Sequence, residues 1–123
     1  FIWEGVTYYI SGEAVDSTLR FIATQSATGS SVVFDYMPLG VIKGDFKTYP
    51  DARRLSFWVA YRGEPFIFGI PEGQSASYVS QRGLKVLSDL KPKDLEERYL
   101  TRSDGSLDGP CTSVFRIMHA SVP

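Results

Sequence analysis

Residues 1–36, FIWEGVTYYISGEAVDSTLRFIATQSATGSSVVFDY, decide how the fold is read. Phe1-Ile2-Trp3 is a short apolar run that meets Glu4-Gly5, and the pattern predicts the end of a buried strand over residues 1–4. Ser11 is suited to a helix N-cap. Glu13 follows in the first turn, where the helix dipole favours a negative charge. Val15, Leu19 and Ile22 then recur at helical spacing, with Asp16, Arg20 and Gln25 elsewhere on the wheel. Gly29 suits the helix stop. Ser31-Val32-Val33-Phe34-Asp35-Tyr36 reads as a second buried strand. Strand, helix, strand within about 36 residues is the size of a right-handed parallel crossover unit.

Beyond this unit, short apolar runs alternate with helical patterns, with no internal repeat. Met37 to Tyr49 reads as a loop marked by Pro38, Gly40 and Gly44, and Ala52 to Tyr61 as a helix behind Pro50. Gly63-Glu64-Pro65 breaks that helix before the extended aromatic stretch Phe66 to Ile70. A short helix over Gln74 to Gln81 is expected, stopped by Gly83. Leu84 to Leu90 alternates apolar and polar residues as a half-buried strand. A charged helix over Pro92 to Tyr99, a turn-rich span around Asp104-Gly105 and a last strand over Val114 to Val122 complete the chain. No crossover helix joins that last strand in parallel. The expected fold is therefore α/β: half of an open sheet, mostly parallel, with an antiparallel closing strand, in one domain over residues 1–123.

The 123 residues are enough for one domain with a core. With 43% hydrophobic and 22% charged residues, the composition is that of a soluble globular chain. Thirteen Lys and Arg against 14 Asp and Glu leave a net charge of -1, which gives no footprint for nucleic acid or for an anionic membrane surface. No apolar run approaches the roughly 20 residues of a membrane helix, and residues 1–10 lack the flanks of a signal peptide. The single cysteine, Cys111, has no internal partner, so a reducing cytoplasmic setting is expected. It has no nucleophile constellation around it and reads as inert. No metal-ligand spacing accompanies it and His119; His119 is expected mid-strand and buried.

Several blocks, in order, resemble the leucine carboxyl methyltransferase family. Trp3-Glu4-Gly5-Val6-Thr7-Tyr8-Tyr9-Ile10 resembles its WEGVT-x-Y-L signature. Val32-Val33-Phe34-Asp35-Tyr36 resembles its next strand, and Gly63-Glu64-Pro65-Phe66 with Phe68-Gly69-Ile70 resembles its GEP-x-x-FG loop. Arg82 to Leu90, then Leu95-Glu96-Glu97-Arg98-Tyr99-Leu100, resembles its GF-x-V…LEERYL region, and Ile117-Met118-His119-Ala120 its closing strand. These blocks span nearly the whole chain. The resemblance implies an S-adenosylmethionine-dependent O-methyltransferase whose acceptor is a carboxylate or hydroxyl, on a protein terminus or a small molecule. It implies strands four to seven of a Rossmann-like domain. Nothing here matches the G-x-G-x-x-G turn that belongs to the other half.

Open α/β sheets bind ligands outside the carboxyl ends of their strands, where strand order reverses. The resemblance places Glu4 at that rim, in contact with the cationic parts of S-adenosylmethionine, and Gly5 where backbone approaches the cofactor. Thr7, Tyr9 and Tyr36 are the substrate-side candidates. Tyr9 lines the acceptor pocket or staples the start of the first helix to the core. Tyr36 faces substrate or packs internally. The aromatic stretches Phe57 to Tyr61 and Phe66 to Phe68 floor the acceptor site or fill the core. A carboxylate or phenolate acceptor needs alignment and desolvation more than a general base, so no catalytic residue is assigned. Without strands one to three, the first strand is a sheet edge with an apolar face uncovered. The expected state is a homodimer or a pairing with an N-terminal half; the alternative to an enzyme is a non-catalytic α/β module that associates through that edge.

Overall fold

A computed structural model describes residues 1–123. Strand β1 (Ile2–Trp3) pairs in parallel with β2 (Ser31–Tyr36), and helix α1 (Gly12–Gln25) crosses between them. Ser11 is extended, and its hydroxyl accepts a hydrogen bond from the Ala14 N–H at 3.2 Å, so it caps α1 as its side-chain chemistry requires. Val15, Leu19 and Ile22 are all buried, and they form the stripe that packs on the sheet. The helix ends at Gln25, earlier than Gly29. Gly29 (φ +86°) instead makes the turn into β2, and its N–H donates to the Val122 carbonyl at 3.0 Å. A tertiary backbone partner, not the helix, claims that glycine.

The chain continues through α2 (Leu39–Ile42), α3 (Ala52–Tyr61) and α4 (Ser75–Ser80) to β3 (Lys85–Leu90). Helix α5 (Pro92–Leu95) runs into a π-helical turn, Glu96–Leu100, and β4 (Arg116–Ser121) closes the sheet. The strand order is β1-β2-β4-β3. β4 pairs antiparallel with β2 from Ser31↔Ser121 to Tyr36↔Arg116, and antiparallel with β3, with a register shift between Val86 and Ser88. The sheet is open and mixed, with one parallel pair. The closing strand is antiparallel, as the sequence suggests. The expectation of mostly parallel pairing is corrected, because that strand inserts between β2 and β3 and does not sit at an edge. Its alternation explains the position: Arg116, Met118 and Ala120 are buried while Ile117, His119 and Ser121 are half-exposed. A strand burying one whole face gains from hydrogen-bonding partners on both edges. His119 therefore lies on the half-exposed face, not in the core.

Register divides the sheet into two faces. Val32, Phe34, Tyr36, Met118 and Ala120 share one face, and with α1 and Val79 of α4 they make the main core. A second core holds Tyr8, Met37, Val41, Tyr49, Ala52 and Val114 beyond the strand ends. The other face carries Val33, Ile117 and His119, with Ile2 in register beside Val33 and 86% exposed. Phe57, Trp58 and Tyr61 on α3 belong to neither core. They are exposed and lie against one another, Phe57 stacked on Tyr61 with ring centroids 6.4 Å apart. Ala52 is the only residue of α3 that is fully buried. Phe66 to Ile70 forms no strand; a single bridge joins Ile70 to Pro38.

Candidate functional site

The chain leaves β1 at Trp3 and turns at once through Glu4 and Gly5. Gly5 has φ +72°, a left-handed conformation that side chains with a Cβ rarely adopt. The turn is held by one residue of the neighbouring strand. Asp35, near the carboxyl end of β2, accepts from the Gly5 N–H at 2.9 Å through one carboxylate oxygen. Its other oxygen accepts from the Tyr8 hydroxyl at 3.0 Å. Its backbone carbonyl accepts from the Thr7 hydroxyl at 2.6 Å. Three groups of the segment after β1 thus hang from Asp35.

Two cavities open beside this turn. The first, about 520 Å³, is bordered by Glu4, Gly5, Tyr8 and Asp35, with Phe115 and Ile117 among its apolar walls. The second, about 550 Å³, is formed by Tyr9, Gly63, Glu64, Pro65 and Ile67, and it also touches Gly5. Both fall within the size range of small-ligand sites, about 300–1,000 Å³. Gly5 is the one residue that lines both cavities, and a Cβ there would meet nothing nearer than the Tyr8 hydroxyl at 4.0 Å. A cavity of about 670 Å³ against α3, with Arg53 and Arg54, shares no residue with either.

The charges around Gly5 are of one sign. Glu4 and Asp35 border the first cavity and Glu64 the second, and no Lys, Arg or His lines either. Burial, and then Asp35, push the Tyr8 phenol above its ordinary range. Burial, and then Glu64, do the same to Tyr9. Both phenols are therefore neutral hydrogen-bond donors at physiological pH.

Of the residues the sequence singles out, Glu4 and Gly5 border the first cavity, and Gly5 and Tyr9 the second. Thr7 is completely buried and its hydroxyl is engaged by Asp35. Tyr36 lies on the opposite face of the sheet from Asp35, 5% exposed. Its hydroxyl donates to Asp89 at 2.8 Å, and Ser75 donates to the same carboxylate. Thr7 and Tyr36 thus border neither cavity. Asp35 and Glu64 are the site residues that sequence reasoning passed over. Asp35 carried the same signal as Glu4, a carboxylate at the end of an apolar strand. Glu64 carried only its place in a turn.

Tyr8 and Tyr36 also set an alkaline limit on the fold. Burial raises both phenols above the ordinary value near pH 10, with Asp35 and Asp89 adding to it. A folded pKa above the unfolded one means stabilisation that is complete below about pH 10 and lost as pH rises towards the folded pKa. Thermal melting is expected to be level to about pH 9.5 and then to fall, each phenol costing up to about 1.4 kcal/mol per pH unit. The Tyr8→Phe, Tyr36→Phe double variant should lose the larger part of that slope, the rest belonging to Tyr9, Tyr49 and Tyr78, whose phenols burial also raises; an unchanged slope would refute the assignment.

No protein-family model and no curated protein matches the chain.

Proposed function

We propose that the chain is part of an S-adenosylmethionine-dependent O-methyltransferase, in which Glu4 and Gly5 border the cofactor and Tyr9 the methyl acceptor. The observation that carries this reading is the convergence at Gly5. The Glu4-Gly5 turn, Asp35 at the end of β2 and the Gly63-Glu64-Pro65 segment are far apart in sequence, yet they border two adjoining cavities. Each belongs to a block that resembles the leucine carboxyl methyltransferase family. Both cavities touch the Gly5 turn at the carboxyl end of β1, the first also running over the half-exposed sheet face at Ile2, Val33 and Ile117, and open α/β sheets bind ligands at such strand ends. The β1-α1-β2 unit, and three strands running one way with the last reversed, are compatible with half of a Rossmann-like sheet.

The cofactor suits the residues present in size and in part of its charge. It supplies a methyl group activated on a cationic sulfur. The unpaired Glu4 carboxylate complements that cation and the ligand's ammonium group. No cationic side chain of the cavity answers the ligand's carboxylate. Asp35 orients the turn, and the Gly5 backbone allows close approach. The acceptor is a carboxylate or a hydroxyl group of a small molecule or a protein.

Titration calorimetry with S-adenosylhomocysteine tests this reading. Binding in the micromolar range is expected, weakened at least about tenfold by Glu4→Ala, the loss of one charge-assisted hydrogen bond. No heat at millimolar ligand would refute it.

A second reading, a non-catalytic α/β module that associates through its sheet edge, is favoured by β1. That strand has one paired neighbour, and Phe1 and Ile2 are 60% and 86% exposed. An apolar open edge drives association. Sedimentation should then show a dimer that Ile2→Lys converts to monomer. A wild-type monomer at the same concentration would eliminate the dimer.

A further inference from the structure

The second cavity is an open groove, with Gly63, Glu64, Pro65 and Ile67 all exposed along it. Its walls are built, not incidental. The Ile67 N–H donates to the Tyr8 carbonyl at 2.8 Å, which pins the Pro65 to Ile67 segment against Tyr8 and Tyr9. Phe66 packs on both rings, each at 5.3 Å between centroids. Gly63 (φ +81°) turns the chain after α3, and the Glu64 N–H donates to the Val59 carbonyl at 2.9 Å, so the backbone that carries the carboxylate is held. The carboxylate itself has no hydrogen-bonding or ion-pair partner, and it is the only charged side chain of the cavity.

We propose that this cavity is the acceptor compartment of the methyltransferase reading, on which the inference rests, and that it takes a phenol-class hydroxyl compound in preference to a carboxylate, with Glu64 accepting a hydrogen bond from the acceptor hydroxyl. The aromatic ring of Tyr9 and the apolar Pro65 and Ile67 offer a surface for a flat ring. A phenol hydroxyl has a proton to donate to Glu64; an ionised carboxylate has none. A carboxylate would also meet like charge, with Glu64 beside it and with Glu4 and Asp35 across Gly5. One such repulsion at ~4 Å in a solvated site is worth about fivefold in affinity, and the lost hydrogen bond adds to it. Tyr9 feels the same field: burial first, and then Glu64 and Asp35, oppose its ionisation.

The test uses the 123-residue chain and two matched probes, 4-methylphenol and 4-methylbenzoate, followed by amide chemical shifts in NMR titrations. Shifts centred on Tyr9, Gly63 and Glu64 are expected with the phenol, at an affinity at least about tenfold above that for the benzoate. Glu64→Gln keeps an acceptor oxygen and removes the charge, and it should bring the ratio to about twofold or less. Equal or tighter binding of the benzoate overturns the proposal. So does a ratio unchanged in Glu64→Gln, a shift pattern elsewhere, or no shifts with either probe at their solubility limits. Titrating the same sample with S-adenosylhomocysteine separates the two levels. Its binding without phenol selectivity overturns this inference alone. Phenol selectivity without its binding removes the methyltransferase reading and leaves the chemistry of the cavity in place.

Discussion

Phe34→Ala is expected to lower the unfolding free energy by about 3–5 kcal/mol, the usual cost of truncating a buried aromatic. Phe34 is the largest fully buried side chain, 1% exposed in the middle of β2. It lies between Trp3 of β1 and Met118 of β4 in the register of the sheet, so three strands lean on it. Its ring also packs on Trp3 and Tyr36, at 6.0 and 6.3 Å between centroids. The sheet has one well-covered face, and little elsewhere can close over the void. Domains have about 5–15 kcal/mol in all, so the variant should melt far lower and lose soluble yield. Urea unfolding measures the loss, and Phe34→Leu serves as the milder variant that folds. A loss under about 1 kcal/mol for Phe34→Ala would show that the main core is not where the burial places it.

Asp35→Ala is expected to cost about 2–4 kcal/mol, because a hydrogen bond to a charged group contributes about 1.5–3 kcal/mol net and the one from Gly5 is solvent-exposed. The substitution leaves the Gly5 N–H and the buried Tyr8 hydroxyl without their partner. The bond from Thr7 survives, since it uses the Asp35 backbone. Asp35→Asn keeps an acceptor for Gly5 and should fall between wild type and alanine. A double-mutant cycle with Tyr8→Phe isolates one bond. Removing the hydroxyl first should recover about 1 kcal/mol of the Asp35→Ala cost. Strict additivity would deny the coupling. The same variants separate stability from the site. Tyr8→Phe should retain S-adenosylhomocysteine binding, whereas Asp35→Ala should lose it as the Glu4-Gly5 turn relaxes.

The β1-α1-β2 unit was legible because its signals are local and agree. Ser11 caps, Val15, Leu19 and Ile22 keep one period, and Val32-Val33-Phe34 makes an apolar run within the strand Ser31–Tyr36. Legibility fell where a distant partner decides. The helix stops at Gln25, while Gly29, the expected stop, lies in the turn into β2 and donates to the Val122 carbonyl. The aromatic residues of α3 read as core from hydrophobicity alone, yet no element of the chain packs over them. The charged helix expected over Pro92 to Tyr99 breaks into one α-helical turn and a π-helical turn. There Glu96 reaches out of the helix and accepts from the Cys111 N–H at 2.7 Å.

By itself, the sequence determined the presence and order of the strands and main helices, and it marked Glu4 and Gly5 at the end of the first strand. Periodicity, capping and turn chemistry act between near neighbours, and those are written locally. Only the tertiary structure decided that β4 enters the middle of the sheet, that Tyr36 turns to the core face while Asp35 turns to the other, and that Glu64 comes to border a cavity with Gly5. Each of these depends on which strands pair and in what register, and a two-residue repeat sends neighbouring side chains to opposite faces. Tyr36 and Asp35 differ by one position in the chain. The sheet gives one of them to the core and the other to the turn that carries the site.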